Sequence, residues 1–240
     1  MGNPVEFQIA PQHDASQLAA AFRARGRMHI PGFLREEDAR AIHDALLKRT
    51  PWNLTVQRNG SRDITPQQWE ALSAEERARV GQEVIEGARQ GFQGRYCTLR
   101  LSDEGEAFAG AIPELAAATA LLNSPSFLDF ARKLTNAPDI DFADAQATLY
   151  RPGDFLTEHD DWNNSRKRVA AYVLNLTPQW TADWGGNLCF LDGADRPIEA
   201  FAPAWNALNI FTVPQQHYVS FVAPYAGAGR YSITGWLRAR

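Results

Sequence analysis

Hydrophobic and polar positions follow two different periods along the chain, and the change comes near residue 141. Before it, apolar residues recur every three or four positions, as they do in amphipathic helices. The clearest such stretch, 36–48, places Ala39, Ile42, Leu46 and Leu47 on one stripe. A helix is also predicted at 17–24, stopped by a glycine. Asp14 or Ser16 can cap this helix. A capping residue or a proline also begins each of the remaining predicted helices: Pro66, Ser73, Pro113 and Pro125.

From residue 141 onward the pattern changes to short strands at regular spacing, separated by Pro-Gly, Gly-Gly and Asp-Gly turns. The predicted strands are 141–150, 155–161, 168–176, 186–191, 197–201, 206–213, 217–222 and 230–238. An edge strand is also predicted at 52–56, and 92–101 alternates like a strand. Eight strands in a row favour a sandwich or a jelly roll. The fold class is therefore predicted to be α+β, with helices preceding a β core.

Residues 57–95 are a polar segment with little apolar character. The segment contains two helix-start signals, Thr65-Pro66 and a capping box formed by Ser73 and Glu76. Two interpretations stay open: a lid over an active site, or a solvated helical excursion.

The most informative stretch is 147–161, in which two strand-like runs flank a Pro-Gly-Asp turn and the second run ends in His159-Asp160-Asp161. Because side chains on an extended chain alternate between faces, His159 and Asp161 are predicted to share a face, with Asp160 opposite. An imidazole and a carboxylate at this spacing supply two members of the two-histidine, one-carboxylate triad that binds non-haem Fe(II).

The third ligand must come from elsewhere in the chain, which has five histidines: His13, His29, His43, His159 and His217. The first three lie in a polar N-terminal stretch, a short apolar strand and a helix, respectively. His217 begins the predicted strand 217–222, which can lie antiparallel beside the strand of His159. We therefore predict His159, Asp161 and His217 as the catalytic metal ligands.

The last predicted strand carries Arg230 and Ser232 on one face. An arginine that points into a barrel is costly unless an anion meets it. The planar guanidinium suits a carboxylate, which it holds through two parallel hydrogen bonds.

The ordered set His159-x-Asp161, His217 and Arg230-x-Ser232 resembles the iron and 2-oxoglutarate signature of the 2-oxoglutarate/Fe(II)-dependent dioxygenase superfamily. The lead-in Tyr150-x-x-Gly153 and the closing stretch 230–236 are similar to its prolyl hydroxylase-like branch. The resemblance runs from about residue 139 to the C-terminus, and more loosely over 26–34. It implies a double-stranded β-helix, the cupin-like jelly roll, with the N-terminal helices packed on its outer face.

The resemblance also implies the cofactors and how they are held. Fe(II), 2-oxoglutarate and O2 are expected, with ascorbate as a reductant. Arg230 is expected to hold the distal carboxylate of 2-oxoglutarate, with Ser232 or Tyr150 adding a hydrogen bond. Asn175 stands where relatives often carry a cosubstrate-binding tyrosine, and Leu188 is placed to wall the pocket.

The expected substrate contacts are Trp162, which follows the ligand turn, and Arg168. The reaction implied by the resemblance is hydroxylation of an unactivated C–H bond, with decarboxylation of 2-oxoglutarate to succinate and CO2. A prolyl residue of a protein or peptide is the favoured target. The alternatives are an oxygenase acting on a free amino acid or secondary metabolite, and a non-catalytic cupin-like binding or sensor protein.

Composition limits the domain organisation, the partners and the cellular location that we expect. Because no Gly/Ser/Pro-rich linker divides the 240 residues, a single domain is predicted over 1–240, with helical support in 1–138 and the β-helix core in 139–240. The net charge of -4 gives no reason to expect nucleic acid or an anionic membrane as a partner. Two cysteines, Cys97 and Cys189, fit a reducing cytoplasm. No apolar run approaches the roughly 18 residues of a membrane span, and no signal peptide is recognised, so a cytoplasmic location is expected.

Overall fold

The computed structural model describes residues 6–57, 60–103, 106–107, 112–163 and 165–239. Its helices are α1 (Ala15–Arg25), α2 (Glu36–Lys48), α3 (Pro66–Ala71), α4 (Ala74–Ala88), α5 (Pro113–Leu122) and α6 (Pro125–Thr135), with a 3-10 turn at Ala182–Trp184. Its strands are β1 (Arg27–Pro31), β2 (Asn53–Gln57), β3 (Ser61–Ile64), β4 (Gly94–Asp103), β5 (Glu106–Ala107), β6 (Ile140–Ala143), β7 (Ala145–Tyr150), β8 (Phe155–His159), β9 (Arg168–Asn175), β10 (Leu188–Leu191), β11 (Pro197–Phe201), β12 (Ala207–Thr212), β13 (His217–Val219) and β14 (Arg230–Ala239).

Ten of these strands form a nearly closed antiparallel barrel in the order β1-β12-β9-β14-β7-β4-β8-β13-β10-β11. Strands β8, β13, β10 and β11 make one wall, and β1, β12, β9, β14, β7 and β4 make the other. Most strands that are neighbours in space are far apart in sequence, as expected for a jelly roll rather than for an up-and-down barrel. The predicted α+β jelly-roll fold is confirmed.

Helices α1, α2, α5 and α6 cover the outer face of the wall that contains β7, β9 and β14, as predicted. Alternate residues of β7, β9 and β14, such as Ala147, Leu174 and Ile233, are almost fully buried in one apolar cluster with side chains of the helices. Phe127 of α6 meets Tyr172 of β9 edge-on within this cluster. The main core therefore lies outside the barrel, between the sheet and the helices. Each large apolar side chain buried there contributes about 1.5–3 kcal/mol to the free energy of folding.

The opposite residues of the same strands point into the barrel and are mostly polar. Thr148 of β7 lies between Thr98 of β4 and Ser232 of β14 in the strand register. Its hydroxyl lies 2.7 Å from that of Ser232. Together with an apolar group that includes Val173, Leu188 and Phe211, these polar side chains line a cavity inside the barrel.

The boundaries of several predicted strands differ in the structure. The predicted strand 141–150 is two strands, β6 and β7, which separate at Asp144. There the backbone of β14 approaches so closely that the Asp144 carbonyl leaves no room for a side chain at Gly235. Strand β2 is not an edge strand, because it pairs with both β3 and β4.

The barrel also draws strands from the first half of the chain. Strand β1 pairs with β12, and β4 lies between β7 and β8. Placing the whole β core in 139–240 is therefore too narrow, because the alternation of 92–101 alone could not show which strands it would pair with. That residues 1–240 form a single domain stays a prediction.

The segment 57–95 forms β3, α3 and α4, apart from residues 58 and 59, which lie outside the described residues. Both helix-start signals are confirmed: Thr65 and Ser73 each take part in a reciprocal capping box. Gln57, Ser61 and Phe92 from this segment line the barrel cavity. Its role as a lid stays a prediction.

Candidate metal and cosubstrate site

Strands β8 and β13 bring the two predicted histidine ligands side by side. His217 pairs with His159 in the antiparallel register, and the ring centroids are 4.1 Å apart. The Asp161 carboxylate faces both rings, with Oδ1 3.6 Å from Nε2 of His159 and Oδ2 3.5 Å from Nε2 of His217. One candidate ligand atom from each residue lies within 4.8 Å of the others. The three predicted ligands therefore converge on one point, although their role as ligands stays a prediction.

Asp161 reaches that point by a route that differs from the predicted alternation. Strand β8 ends at His159, and Asp161 has a left-handed backbone with φ of 63°. The carboxylate therefore does not share a strand face with His159, because the chain has already turned. Two hydrogen bonds fix the turn: Arg168 Nη1 donates to the Asp161 carbonyl (3.0 Å), and the Trp162 amide donates to the Asp160 carboxylate (2.9 Å).

The protonation of the two rings follows from their neighbours. Nδ1 of His159 lies 2.9 Å from the Thr157 carbonyl, and Nδ1 of His217 lies 2.8 Å from the Gln215 carbonyl. A carbonyl can only accept, so each Nδ1 carries a hydrogen and donates it. The lone pair of each neutral ring is then on Nε2, the atom that faces Asp161. This is the usual way in which a backbone carbonyl orients a metal-binding histidine.

Burial keeps His217 neutral. Its removal from water, together with the nearby His159, lowers its pKa to about 4, although Asp161 opposes the shift. At neutral pH the ring therefore needs to lose no proton before it can bind a metal. Phe211 covers the ring edge-on, at a centroid distance of 4.7 Å.

The triad opens into a cavity of about 390 Å³ inside the barrel. Arg230 lines this cavity from β14, although its side chain is only 2 % exposed. Its Nε and Nη1 have no hydrogen-bond partner, and no carboxylate of the described chain is paired with it. Burial lowers the pKa of Arg230, and the guanidinium lies 5.0 Å from the ring of Tyr150. A buried cation with unused donors in a cavity is a fitting site for an anionic ligand.

The remaining predicted cosubstrate contacts fall into two groups. Tyr150 and Leu188 line the cavity directly. Ser232 and Asn175 are buried behind the described lining, where Ser232 touches Thr148 and Asn175 donates to the Val173 and Ala207 carbonyls. Ser232 therefore meets the cavity only through Thr148.

The two predicted substrate contacts also separate. Arg168 lines the cavity, and its guanidinium lies 3.6 Å from the centre of the Trp236 ring. Trp162 is 58 % exposed and is not part of the described cavity lining. Whether either side chain contacts a substrate stays a prediction.

Sequence reasoning missed several cavity residues, all on the inner face of the barrel or at its mouth: Phe92, Tyr96, Thr98, Arg100, Gln146, Thr148 and Arg166. Alternation was a usable signal for most of them. Over 96–102 of β4 and throughout β7, every second residue is polar or is a tyrosine, whereas the residues between are small or apolar. Their convergence was not readable, because it depends on the pairing of β4 with β7.

The donor set passes a chemical test for the group that it is predicted to hold. Two neutral imidazole nitrogens and one carboxylate suit Fe(II) and leave further coordination positions free. The orphaned donors of Arg230 in the same cavity suit the far carboxylate of a dicarboxylic acid. A jelly-roll barrel with these two features defines the class of non-haem iron oxygenases that take an oxo acid as cosubstrate.

Comparison with known proteins agrees with that class. Residues 145–238 match the family model of the 2OG-Fe(II) oxygenase superfamily, and the resemblance predicted from the sequence is confirmed. The chain is 32 % identical over 121 residues to prolyl 3-hydroxylase OGFOD1 of Xenopus laevis, a match that covers 46 % of this chain. The match spans 23 % of the length of that relative.

Two solved structures share the fold at low sequence identity. The prolyl-4-hydroxylase of Pseudomonas putida superposes with a TM-score of 0.57 and 18 % identity, covering 95 % of this chain and 100 % of that one. A prolyl hydroxylase of Trichoplax adhaerens, solved with a hypoxia inducible factor peptide fragment, gives a TM-score of 0.61 at 14 % identity, with 94 % and 89 % covered. These likenesses support the double-stranded β-helix fold.

Within the part of the chain that the structure describes, no helix is long and apolar enough to cross a membrane. The cytoplasmic location stays a prediction.

Proposed function

We propose that this protein is an Fe(II)- and 2-oxoglutarate-dependent dioxygenase that hydroxylates an unactivated C–H bond. The favoured target is a prolyl residue of a protein or peptide. One observation carries the proposal: the buried, unpaired guanidinium of Arg230 lines the same cavity as the His159, Asp161 and His217 cluster. A metal site alone would be compatible with many activities, whereas this pairing is specific for a carboxylate-bearing cosubstrate beside the metal.

Each residue of the site has a defined role in this proposal. His159 and His217 present Nε2 lone pairs, and Asp161 supplies the one negative charge of the triad. Arg230 holds the distal carboxylate of 2-oxoglutarate. Leu188 and Phe211 are apolar cavity residues, and they reduce the access of water to the site.

The bound iron and 2-oxoglutarate supply the oxidative chemistry, in which decarboxylation to succinate and CO2 accompanies hydroxylation of the substrate. The protein contributes position and exclusion of water. Ascorbate as a reductant of the iron stays a prediction.

The prolyl target is supported by the similar proteins described above, which are prolyl hydroxylases. A free amino acid or another small molecule is the alternative substrate class, and it is distinguished by assay. The panel contains prolyl peptides and free amino acids, read as succinate release together with a product heavier by one oxygen atom.

The first test of the proposal is an anaerobic titration of the full chain with Fe(II) and 2-oxoglutarate. We expect a weak visible charge-transfer band when both are present. In Arg230→Ala the concentration of 2-oxoglutarate needed for the band should rise about a hundredfold, because a charged hydrogen-bonded pair contributes about 1.5–3 kcal/mol. Arg196→Ala is the control, because Arg196 lies exposed in the β10–β11 turn with Asp192.

Two results would overturn the proposal. One is the absence of a band at saturating Fe(II) and 2-oxoglutarate in the unaltered protein, which would favour a non-catalytic binding protein. The other is an unchanged 2-oxoglutarate requirement in a folded Arg230→Ala variant, which would show that another group holds the cosubstrate. Thermal unfolding of each variant establishes that it is folded.

A further inference from the structure

The cavity carries more positive charge than the proposed cofactors use. Among the described residues that line it are four arginines, Arg100, Arg166, Arg168 and Arg230, and a single carboxylate, Asp161. The proposed function assigns Arg230 to 2-oxoglutarate and Asp161 to the iron. The two charges of Fe(II) and that of Arg230 are then balanced by Asp161 and the two carboxylates of the cosubstrate. Arg100, Arg166 and Arg168 remain.

Two of these arginines lie together at one end of the cavity with neutral polar side chains. Arg100 of β4 pairs in register with Gln146 of β7, which pairs with Thr234 of β14. Arg166, from the loop before β9, lines the same end. A small adjoining cavity of about 20 Å³ is lined by these same four residues, so the space continues past them. We call Arg100, Gln146, Arg166 and Thr234 the arginine subsite.

Arg168 contacts both the turn of a predicted metal ligand and a residue beside the arginine subsite. The Arg168 guanidinium donates to the Asp161 carbonyl at 3.0 Å and lies on Trp236, a residue that lines both cavities. Buried Nε of Arg168 has no hydrogen-bond partner. Arg168 and Trp236 therefore connect the subsite with the turn that carries Asp161.

The acidic neighbours of the subsite do not remove its attraction for an anion. Asp63 lies 3.3 Å from Nε of Arg100, in a pair whose arginine side chain is 47 % exposed. Such exposed pairs contribute only about 0–1 kcal/mol, so a ligand competes for Arg100 easily. Asp144 lines the adjoining cavity, where it is paired with Arg238 at 3.2 Å and also interacts electrostatically with Arg166 and Arg168, so its one charge is shared among three arginines. Arg166 is engaged within the protein and lines the cavity as well.

We infer that the arginine subsite binds a carboxylate of the substrate while the carbon to be hydroxylated lies at the metal. This inference rests on the proposed function and adds a substrate class to it. The carboxylate has two possible sources: an acidic side chain near the target residue of a peptide, or the carboxylate of a free amino acid. The guanidinium groups supply paired donors, and Gln146 and Thr234 supply neutral ones, which is the mixture that a carboxylate needs.

The test measures binding as well as turnover. Short fluorescent peptides with a central proline carry Asp, Asn or Lys at one varied position, and they are titrated anaerobically against the protein loaded with Fe(II) and 2-oxoglutarate. At one or more positions we expect Asp to bind about tenfold more tightly than its isostere Asn, with the preference decreasing as salt is added. Free amino acids and their amides are compared in competition with the same peptides.

Variants tie the preference to the subsite. Arg100→Gln and Arg166→Gln should bring the Asp-to-Asn ratio close to one, without changing the 2-oxoglutarate dissociation constant. The double variant Arg100→Glu/Arg166→Glu should reverse the preference in favour of Lys. Arg196→Gln in the β10–β11 turn is the matched control and should leave the ratio as it is. A preference for a free amino acid over its amide, lost in the same variants, supports the subsite with a small molecule as the source of the carboxylate.

Failure of the inference and failure of the proposed function give different results. If 2-oxoglutarate binds but no peptide or amino acid shows a preference for a carboxylate, the inference is wrong and the dioxygenase proposal stands. If Arg100→Gln or Arg166→Gln weakens 2-oxoglutarate binding instead, the subsite serves the cosubstrate and the inference is equally wrong. If 2-oxoglutarate does not bind the unaltered protein at all, the proposed function fails and the inference falls with it.

Discussion

Two clusters of polar and charged side chains share one cavity and are held in different ways. In the triad, the backbone next to each histidine fixes its ring, because Nδ1 donates to a carbonyl two residues earlier in the chain. In the arginine subsite, long side chains reach inward from separate strands and a loop, and the half-exposed Arg100 is paired with the carboxylate of Asp63. The triad is ordered by its own backbone, whereas the register of the barrel and the loop before β9 position the subsite.

This difference matches what each ligand requires. A metal ion needs lone pairs at fixed places, and small displacements of a ligand are costly. A carboxylate among cations needs only proximity, because the attraction decreases slowly with distance and guanidinium groups adapt to it. Substitutions in the triad should therefore act in an all-or-none way, whereas those in the subsite should have graded effects.

The largest effect is expected from Asp161→Ala, which removes the single negative charge of the triad. We expect loss of iron and a decrease in succinate formation of more than about a hundredfold, because removing even an outer partner of a metal ligand costs about 10–100-fold. Iron content and succinate release measure the two effects. Asp160→Ala is the matched control and should have a mild effect, because it removes a hydrogen bond from the Trp162 amide but no ligand of the triad. An inactive Asp160 variant beside an active Asp161 variant would reverse the assignment.

A smaller effect is expected at Arg168, the residue that joins the two clusters. Arg168→Gln removes the donor to the Asp161 carbonyl and the contact with Trp236. Because Asp161 has a left-handed backbone that this hydrogen bond helps to hold, iron affinity should decrease about tenfold. Arg168 would then be a positioning residue for the metal ligand, whatever it contributes to substrate binding.

The control for Arg168 is Arg166→Gln, which should leave iron affinity unchanged. Both affinities are measured by competition with a chelator at one pH. Equal losses of iron in the two variants would mean that the triad and the subsite are not separate units, and the comparison above would fail.

The triad and the arginine subsite also differ in how far they could be predicted from the sequence. The triad was predictable because two of its members are neighbours in the chain and the third begins a strand of its own. Arg230 was predictable because an arginine that points into a barrel needs an anion. The left-handed conformation at Asp161 was not predictable, since aspartate adopts it only where the surrounding structure requires it.

The arginine subsite was not predictable from the sequence. Arg100 and Gln146 become neighbours only through the pairing of β4 with β7. Sequence alternation shows which residues share a face of a strand, whereas it does not show which strands lie side by side. For the same reason the strands β1 and β4 were assigned to the helical half rather than to the barrel.

A still smaller effect is expected at the mouth of the cavity. The ring of Phe92 lies 5.2 Å from that of His159 and is 46 % exposed, at the end of the predicted lid. Because a pair of rings contributes about 0.5–1.5 kcal/mol, Phe92→Ala should make iron dissociate about two- to tenfold faster. Stopped-flow transfer of iron to a chelator measures the rate. An unchanged rate would mean that Phe92 does not shield the triad and would favour a solvated excursion over a lid.

The smallest effect is expected at the thiols, which neither cluster uses. Burial raises the pKa of Cys97 to about 11 and also raises that of Cys189. At pH 8 about one Cys97 thiol in a thousand is then ionised, and because the thiolate is the reactive form, iodoacetamide should label neither cysteine in the folded protein. Labelling should become complete when the protein is unfolded, as mass spectrometry of the intact chain would show. Rapid labelling of folded protein, with loss of 2-oxoglutarate binding, would show that a thiol lies open to the cavity. In that case the cavity would contain a reactive thiol in addition to the triad and the arginine subsite.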